Sequence, residues 1–106
     1  MGKITRVLWT RPALDSLLEI VRFIQIDSPP AAERFAAQIK TQTSRLERFP
    51  KSGRVVQEFS SSGLREILVG NCRIVYRIVK EAPRVEVLAV RHGARVLEEP
   101  PETEGK

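Results

Sequence analysis

The chain has 106 residues, 42% of them hydrophobic, and 18 Lys+Arg against 13 Asp+Glu give a net charge of +5. This length fits one domain with a core of its own. No apolar run approaches the ~20 residues of a membrane-spanning helix, and the N-terminus does not read as a signal peptide. A single cysteine, Cys72, excludes an internal disulfide and a cysteine-rich metal site. We therefore expect a cytoplasmic protein that does not associate with membranes and needs no metal or cofactor.

The charge is unevenly distributed along the chain. Residues 51–95 carry nine Lys/Arg against four Asp/Glu, whereas residues 96–106 carry one against four. A basic surface of this size favours a polyanion or an acidic protein as partner. We expect a single domain at residues 1–97, followed by an acidic, flexible tail at residues 98–106, where no apolar side chain could anchor the chain.

The first half of the chain predicts a strand at residues 3–9 and then a helical hairpin. Thr10 can cap the first helix and Pro12 suits its first turn, and the helix should end near Ile26. Its apolar residues recur at the helical period: Leu14, Leu17, Leu18, Val21 and Ile24. Ser28 then caps a second helix with Pro29 at its first position. Because the connection is so short, the two helices should be antiparallel neighbours.

The second helix is expected to continue to the residue before Pro50. Its apolar stripe consists of Ala32, Phe35, Ala36, Ile39, Leu46 and Phe49. A strand at residues 54–59 and a loop at residues 60–63 should follow it.

Residues 64–95 predict three strands joined by two turns. Gly70 and Asn71 suit a tight hairpin because both tolerate positive φ, and residues 81–83 form the second turn. The middle strand alternates between two faces: Cys72, Ile74, Tyr76 and Ile78 on one, and Arg73, Val75, Arg77 and Val79 on the other. The whole order is β-α-α-β-β-β-β. It predicts an α+β fold in which the antiparallel helical hairpin packs on one face of a small, mainly antiparallel sheet.

Six short motifs occur in a fixed order along the chain. They are W-x-x-x-A-x-x-x-L at 9–17, SP-x-A-A-x-R-F at 28–35, L-x-x-F-P-x-x-G-R at 46–54, RE-I at 65–67, C-RIVYRI at 72–78 and V-x-HGAR at 90–95. As an ordered set they resemble the RelE/ParE superfamily of bacterial toxins. The resemblance implies a growth-arresting toxin of a type II toxin–antitoxin module, neutralised by a cognate antitoxin and contacting operator DNA only through that antitoxin.

The family resemblance leaves two targets open. ParE-like members poison DNA gyrase, whereas RelE-like members are metal-independent endoribonucleases (mRNA interferases) that cleave messenger RNA on the translating ribosome. In the RelE-like pattern Arg73 would bind phosphate, Arg65 would be a basic residue of the preceding strand, and His92 and Arg95 would complete the catalytic candidates. Residues for binding nucleic acid or another target would be Arg73, Arg77, Arg91 and Arg95.

Two departures favour the gyrase poison. Ile67 replaces the second lysine of the RelE-like pattern, and no residue at 96–99 matches its C-terminal tyrosine. For His92, which should share a strand face with Leu88 and Val90, a half-buried structural role competes with a general acid. For Arg73 and Arg77 an exposed basic face that binds antitoxin is the alternative. A basic, non-toxic binding module is the third class of function.

Overall fold

The structure, a computed structural model, describes residues 5–93 except for the side chains of residues 58 and 60. Two helices pack on one face of a five-stranded sheet. The elements are β1 (Arg6–Trp9), α1 (Arg11–Asp27), α2 (Pro29–Ser44), β2 (Arg54–Val55), β3 (Arg65–Val69), β4 (Cys72–Val79) and β5 (Arg84–His92). The strand order is β1-β5-β4-β3-β2, with β1 parallel to β5 and the other pairs antiparallel. The predicted α+β fold is confirmed.

Both helices begin at the predicted caps. The Thr10 hydroxyl accepts a hydrogen bond from the Ala13 N–H at 3.4 Å and donates one to the Val87 carbonyl oxygen at 2.9 Å. The Ser28 hydroxyl accepts from the Ala31 N–H at 3.3 Å. Thr10 therefore provides an acceptor for one of the free backbone N–H groups at the start of α1, and it also links α1 to β5.

The main core lies between the helices and the sheet. Its buried members are Ala13, Ile39, Leu46, Val69, Ile74, Tyr76, Val85 and Val87. Ile74 and Tyr76 come from the face of β4 that strand alternation assigned to the apolar side. Burial of such side chains, at about 1.5–3 kcal/mol for each large apolar one, holds the helical hairpin on the sheet.

A second, smaller core lies on the opposite face of the sheet. It contains Val56, Leu64, Val75, Leu88 and Ala89, with Phe59 packed against them. The prediction of a strand over residues 54–59 is wrong beyond Val55, because the chain leaves the sheet at Val56 and forms a 3₁₀ segment, Gln57–Ser62, that covers this core. The predicted loop at residues 60–63 is largely part of that segment.

The predicted end of the second helix is also wrong. α2 stops at Ser44, and a 3₁₀ turn follows at Arg45–Glu47. A 3₁₀ turn advances about 120° per residue instead of the 100° of an α-helix, so the helical period no longer applies. Leu46 still reaches the core, but Phe49 is 61% exposed.

A bulge in β5 changes the direction of one predicted side chain. Val75 pairs with Ala89 and Tyr76 with Val87, which leaves Leu88 as an extra residue. Leu88 therefore joins the second core, and the prediction that it shares a face with His92 is wrong. His92 is exposed, so the predicted half-buried histidine is wrong as well.

Candidate functional site

The sheet face opposite the helices concentrates arginine. We call it the open face and define it by Arg6, Arg54, Glu66, Arg73, Arg77, Arg84, Glu86 and Arg91, which strand register and ion pairing place on one side. Six arginines stand against two glutamates in this set. The prediction that Arg73 and Arg77 share one face of β4, opposite Ile74 and Tyr76, is confirmed, and the structure shows that this face lies away from the helices.

One carboxylate joins three strands of the open face. Glu66 on β3 is 1% exposed, and its Oε2 accepts from Nε of Arg54 on β2 at 2.7 Å. Its Oε1 accepts from Nη2 of Arg73 on β4 at 2.8 Å and from Nε of the same side chain at 2.9 Å. The Arg73 side chain is only 12% exposed. Arg73 is therefore a largely buried member of an ion-pair network around Glu66, and not the exposed strand-face residue that the sequence predicts.

A second network of the same kind lies at the other end of the face. Glu86 on β5 accepts hydrogen bonds from Arg77 Nε at 2.8 Å and from Arg84 Nε at 3.0 Å. Burial raises the pKa of the Glu86 carboxyl, but the hydrogen bonds and charges of Arg77 and Arg84 outweigh burial and lower it overall. Glu86 therefore stays ionised at neutral pH, and this network has a net charge of +1.

The end of β5 holds two exposed candidates that point to different faces. Arg91 pairs with Arg73 in the strand register and lies on the open face. His92 pairs with Cys72 and lies on the side of the helices. Its strand partner Cys72 is buried, and this burial raises the pKa of the thiol. Arg95, the remaining candidate, is outside the described residues.

Arg65 supports the backbone on the other side of the sheet. It pairs with Tyr76 in the register, and its Nη1 donates to the carbonyl oxygens of Gly53 at 2.7 Å and Lys51 at 3.3 Å. Tyr76 is fully buried. Burial raises the pKa of its phenol and outweighs the opposing effects of the Gly53 N–H and the Arg65 charge. The phenol therefore stays protonated and can donate a hydrogen bond.

The three described catalytic candidates do not meet at one point. Arg73 lies on the open face, whereas Arg65 and His92 lie on the side of the helices. The β4 partners of Arg65 and His92 are Tyr76 and Cys72, four residues apart, which is about 13 Å along a strand. Within residues 5–93 no three His, Cys, Asp or Glu side chains are grouped to hold a metal ion. Among residues 5–93, neither α1 nor α2 has the length and hydrophobicity that a membrane-spanning helix requires.

Sequence reasoning missed the residues that organise these surfaces. From the sequence, Arg65 and Glu66 suggest a cross-strand ion pair of little consequence. Only the register of β2, β3 and β4 shows that Glu66 instead bridges Arg54 and Arg73. Tyr76 reads as an ordinary core residue. Its hydroxyl was the available signal, because a buried phenol requires a polar partner.

Comparison with known proteins places the chain in a family. The family model described as "ParE toxin of type II toxin-antitoxin system, parDE" matches residues 7–97. Toxin RelE2 of Caulobacter vibrioides is 33% identical over 91 residues, which are 86% of this chain and 98% of that protein.

Two solved structures share the fold. The toxin–antitoxin complex RelBE2 from Mycobacterium tuberculosis aligns with a TM-score of 0.61 at 24% identity, over 84% of this chain and 98% of the other. The chromosomal ParDE toxin–antitoxin system from P. aeruginosa aligns with a TM-score of 0.71 at 17% identity, over 88% of this chain and 100% of the other.

Proposed function

Because the chain belongs to the ParE toxin family of type II toxin–antitoxin systems, we propose that it arrests bacterial growth by binding DNA gyrase and is neutralised by a cognate antitoxin. The family match over residues 7–97 carries this proposal. It also supports residues 1–97 as the toxin domain, with residues 98–106 as an acidic tail. The solved neighbours are toxin–antitoxin complexes, which supports an antitoxin as partner.

The geometry of the predicted catalytic residues supports a binding mechanism over RNA cleavage. Transfer of a phosphoryl group requires donors and proton-transfer groups within hydrogen-bonding reach of one reacting centre. Arg65, Arg73 and His92 lie on two faces of the sheet, and Glu66 accepts hydrogen bonds from Arg73. A toxin that acts by binding needs no such convergence.

RelE-like cleavage of messenger RNA is the second candidate function. It is favoured by the 33% identity to a protein named RelE2 and by the adjacent cations Arg73 and Arg91 on the open face. Two neighbouring guanidinium groups could bind a phosphate between them. Under this alternative the ribosome with its messenger RNA replaces gyrase as the target.

The deciding experiment measures two readouts after the protein is induced in bacteria. We expect growth arrest with a DNA-damage response and intact transcripts, and relief when the small protein encoded beside this gene is co-expressed. His92→Gln, which cannot supply a proton as a general acid, should arrest growth as the unchanged protein does. Soluble protein levels are matched by immunoblot.

Two results would count against the proposal. Codon-phased transcript cleavage without DNA damage would replace gyrase poisoning with the RelE-like reaction. Normal growth at verified soluble levels would remove the toxin function and leave a basic binding module.

A further inference from the structure

Phe49 is a large apolar side chain that the fold holds in solvent. The helical period places it in the core, but the chain enters the 3₁₀ turn Arg45–Glu47 and Phe49 emerges 61% exposed. Its N–H donates to the Arg45 carbonyl oxygen at 2.8 Å, which fixes the position of its backbone. Because this hydrogen bond fixes its backbone, Phe49 presents an apolar side chain to solvent at a defined position.

Side chains of the sheet hold the turn that follows Phe49 in place through hydrogen bonds. The Tyr76 hydroxyl donates to the Pro50 carbonyl oxygen at 2.6 Å and accepts from the Gly53 N–H at 2.9 Å. Arg65 donates to the Gly53 carbonyl oxygen at 2.7 Å. A Cβ atom at Gly53 would lie 2.5 Å from the Tyr76 hydroxyl, so the close approach requires glycine. Phe49 is thus presented by a rigid segment, which reduces the entropy lost on binding.

Two open grooves lie beside Phe49, and basic side chains line both of them. A groove of about 550 Å³ is lined by Arg45, Phe49, Pro50, Lys51 and Ser52. A second, of about 480 Å³, is lined in part by Lys40, Arg45, Arg48 and Phe49. We name Lys40, Arg45, Arg48, Phe49 and Lys51 the Phe49 patch. Among the described residues that line the two grooves, four cations and one carboxylate, Glu47, give a net charge of +3.

We propose that the Phe49 patch is the surface with which the toxin docks on its protein target, namely on an acidic surface that offers apolar side chains to the two grooves. This inference rests on the proposed function. Aromatic and arginine side chains are enriched at protein interfaces, where a few well-placed anchors dominate the binding energy. The cations would pair with the acidic rim and Phe49 would be the apolar anchor.

A protein fits this surface better than a nucleic acid does. The larger groove is lined by Phe49, Pro50 and the residues beside them. Because this lining is largely apolar, the groove suits an apolar side chain of a partner protein. Single-stranded nucleic acid is usually bound by a basic groove that follows the backbone past several stacking aromatics. Within the part of the chain that the structure describes, Phe49 is the sole aromatic that lines either groove.

The experiment compares substitutions in the patch with matched substitutions elsewhere. Phe49→Ala and Lys51→Glu are tested beside Phe23→Ala, which removes a ring that is 68% exposed on α1, and Lys80→Glu, which reverses an exposed charge in the β4–β5 turn. Each variant is assayed for growth arrest at matched soluble levels and for binding to purified DNA gyrase, to the co-expressed antitoxin and to a single-stranded RNA. Thermal unfolding confirms the fold.

We expect both patch variants to bind gyrase at least tenfold more weakly and to lose growth arrest, while antitoxin binding changes less than twofold. Phe49→Trp should retain gyrase binding, and both controls should match the unchanged protein. Gyrase binding that survives Phe49→Ala would overturn the docking surface and leave the proposed function standing. Selective loss of antitoxin or RNA binding would assign the patch to that partner instead. If the unchanged protein neither arrests growth nor binds gyrase, the proposed function fails and this inference with it.

Discussion

At the scale of single residues, the buried carboxylate of Glu66 decides what a substitution of Arg73 would do. Glu66 is 1% exposed and depends on Arg54 and Arg73 for its hydrogen bonds. Arg54 is 60% exposed, so water competes with its hydrogen bond. Arg73 is 12% exposed and donates from two nitrogens. Loss of Arg73 would therefore leave a desolvated carboxylate with its weaker partner.

Arg73→Ala should lower the free energy of unfolding by about 2 kcal/mol, because hydrogen bonds to charged groups contribute about 1.5–3 kcal/mol and one arginine partner remains. Arg91→Ala, opposite Arg73 in the register but exposed, should change it by less than about 0.5 kcal/mol. Denaturant titrations of both variants at pH 7 measure this. Equal stabilities would show that Glu66 does not depend on Arg73. A loss of toxicity in Arg73→Ala therefore tests a role in phosphate binding only when the amounts of folded protein are equal.

Strand alternation predicts the face of Arg73 and Arg77 but not their partners. The period of two residues is a local property of one strand. The partner of Arg73 depends on how β3 is aligned with β4, and that register places Glu66 beside it. A single sequence contains no local signal for this alignment, so the site residues could be predicted by face and not by contact.

At the scale of elements, the hydroxyl of Tyr76 connects the sheet to the turn that presents Phe49. Tyr76→Phe keeps the buried ring but leaves the Pro50 carbonyl and the Gly53 N–H without this partner. We expect it to lower the free energy of unfolding by about 1–3 kcal/mol, the cost of unsatisfied buried polar groups. In this variant, amide hydrogen exchange at residues 49–53 should speed up relative to the unchanged protein, and it should speed up more there than in α1. Unchanged exchange in this segment would contradict the role of Tyr76 as its support.

The ends of the helices and strands show which structural features the sequence can predict and which it cannot. Helix starts follow from local chemistry: Thr10 and Ser28 each carry an oxygen that accepts from the first turn. The end of α2 has no such marker, because Leu46 and Phe49 continue the apolar period beyond Ser44. The bulge at Leu88 and the departure of the chain from the sheet at Val56 depend on contacts distant in sequence.

At the scale of the whole molecule, much of the positive charge of residues 5–93 is concentrated on two surfaces. The open face carries six arginines and two glutamates, and the Phe49 patch adds four cations beside Glu47. An acidic partner that approaches from solution is attracted by the sum of these charges before any contact forms. We propose that the antitoxin binds through an acidic segment, and it should therefore associate rapidly and in a salt-dependent manner.

The association rate of the antitoxin should fall by about tenfold or more between 0.05 and 0.5 M salt, because salt at the higher concentration screens exposed charges beyond a few ångströms. The dissociation rate should change much less, since exposed charges act mainly on encounter. Arg91→Glu, on the open face, should slow association at low salt more than Lys80→Glu in the β4–β5 turn, although both change the net charge equally. Stopped-flow or surface-binding kinetics measure both rates. A rate that 0.5 M salt leaves untouched would exclude electrostatic steering, and an equal effect of the two charge reversals would exclude the open face as the surface that steers it.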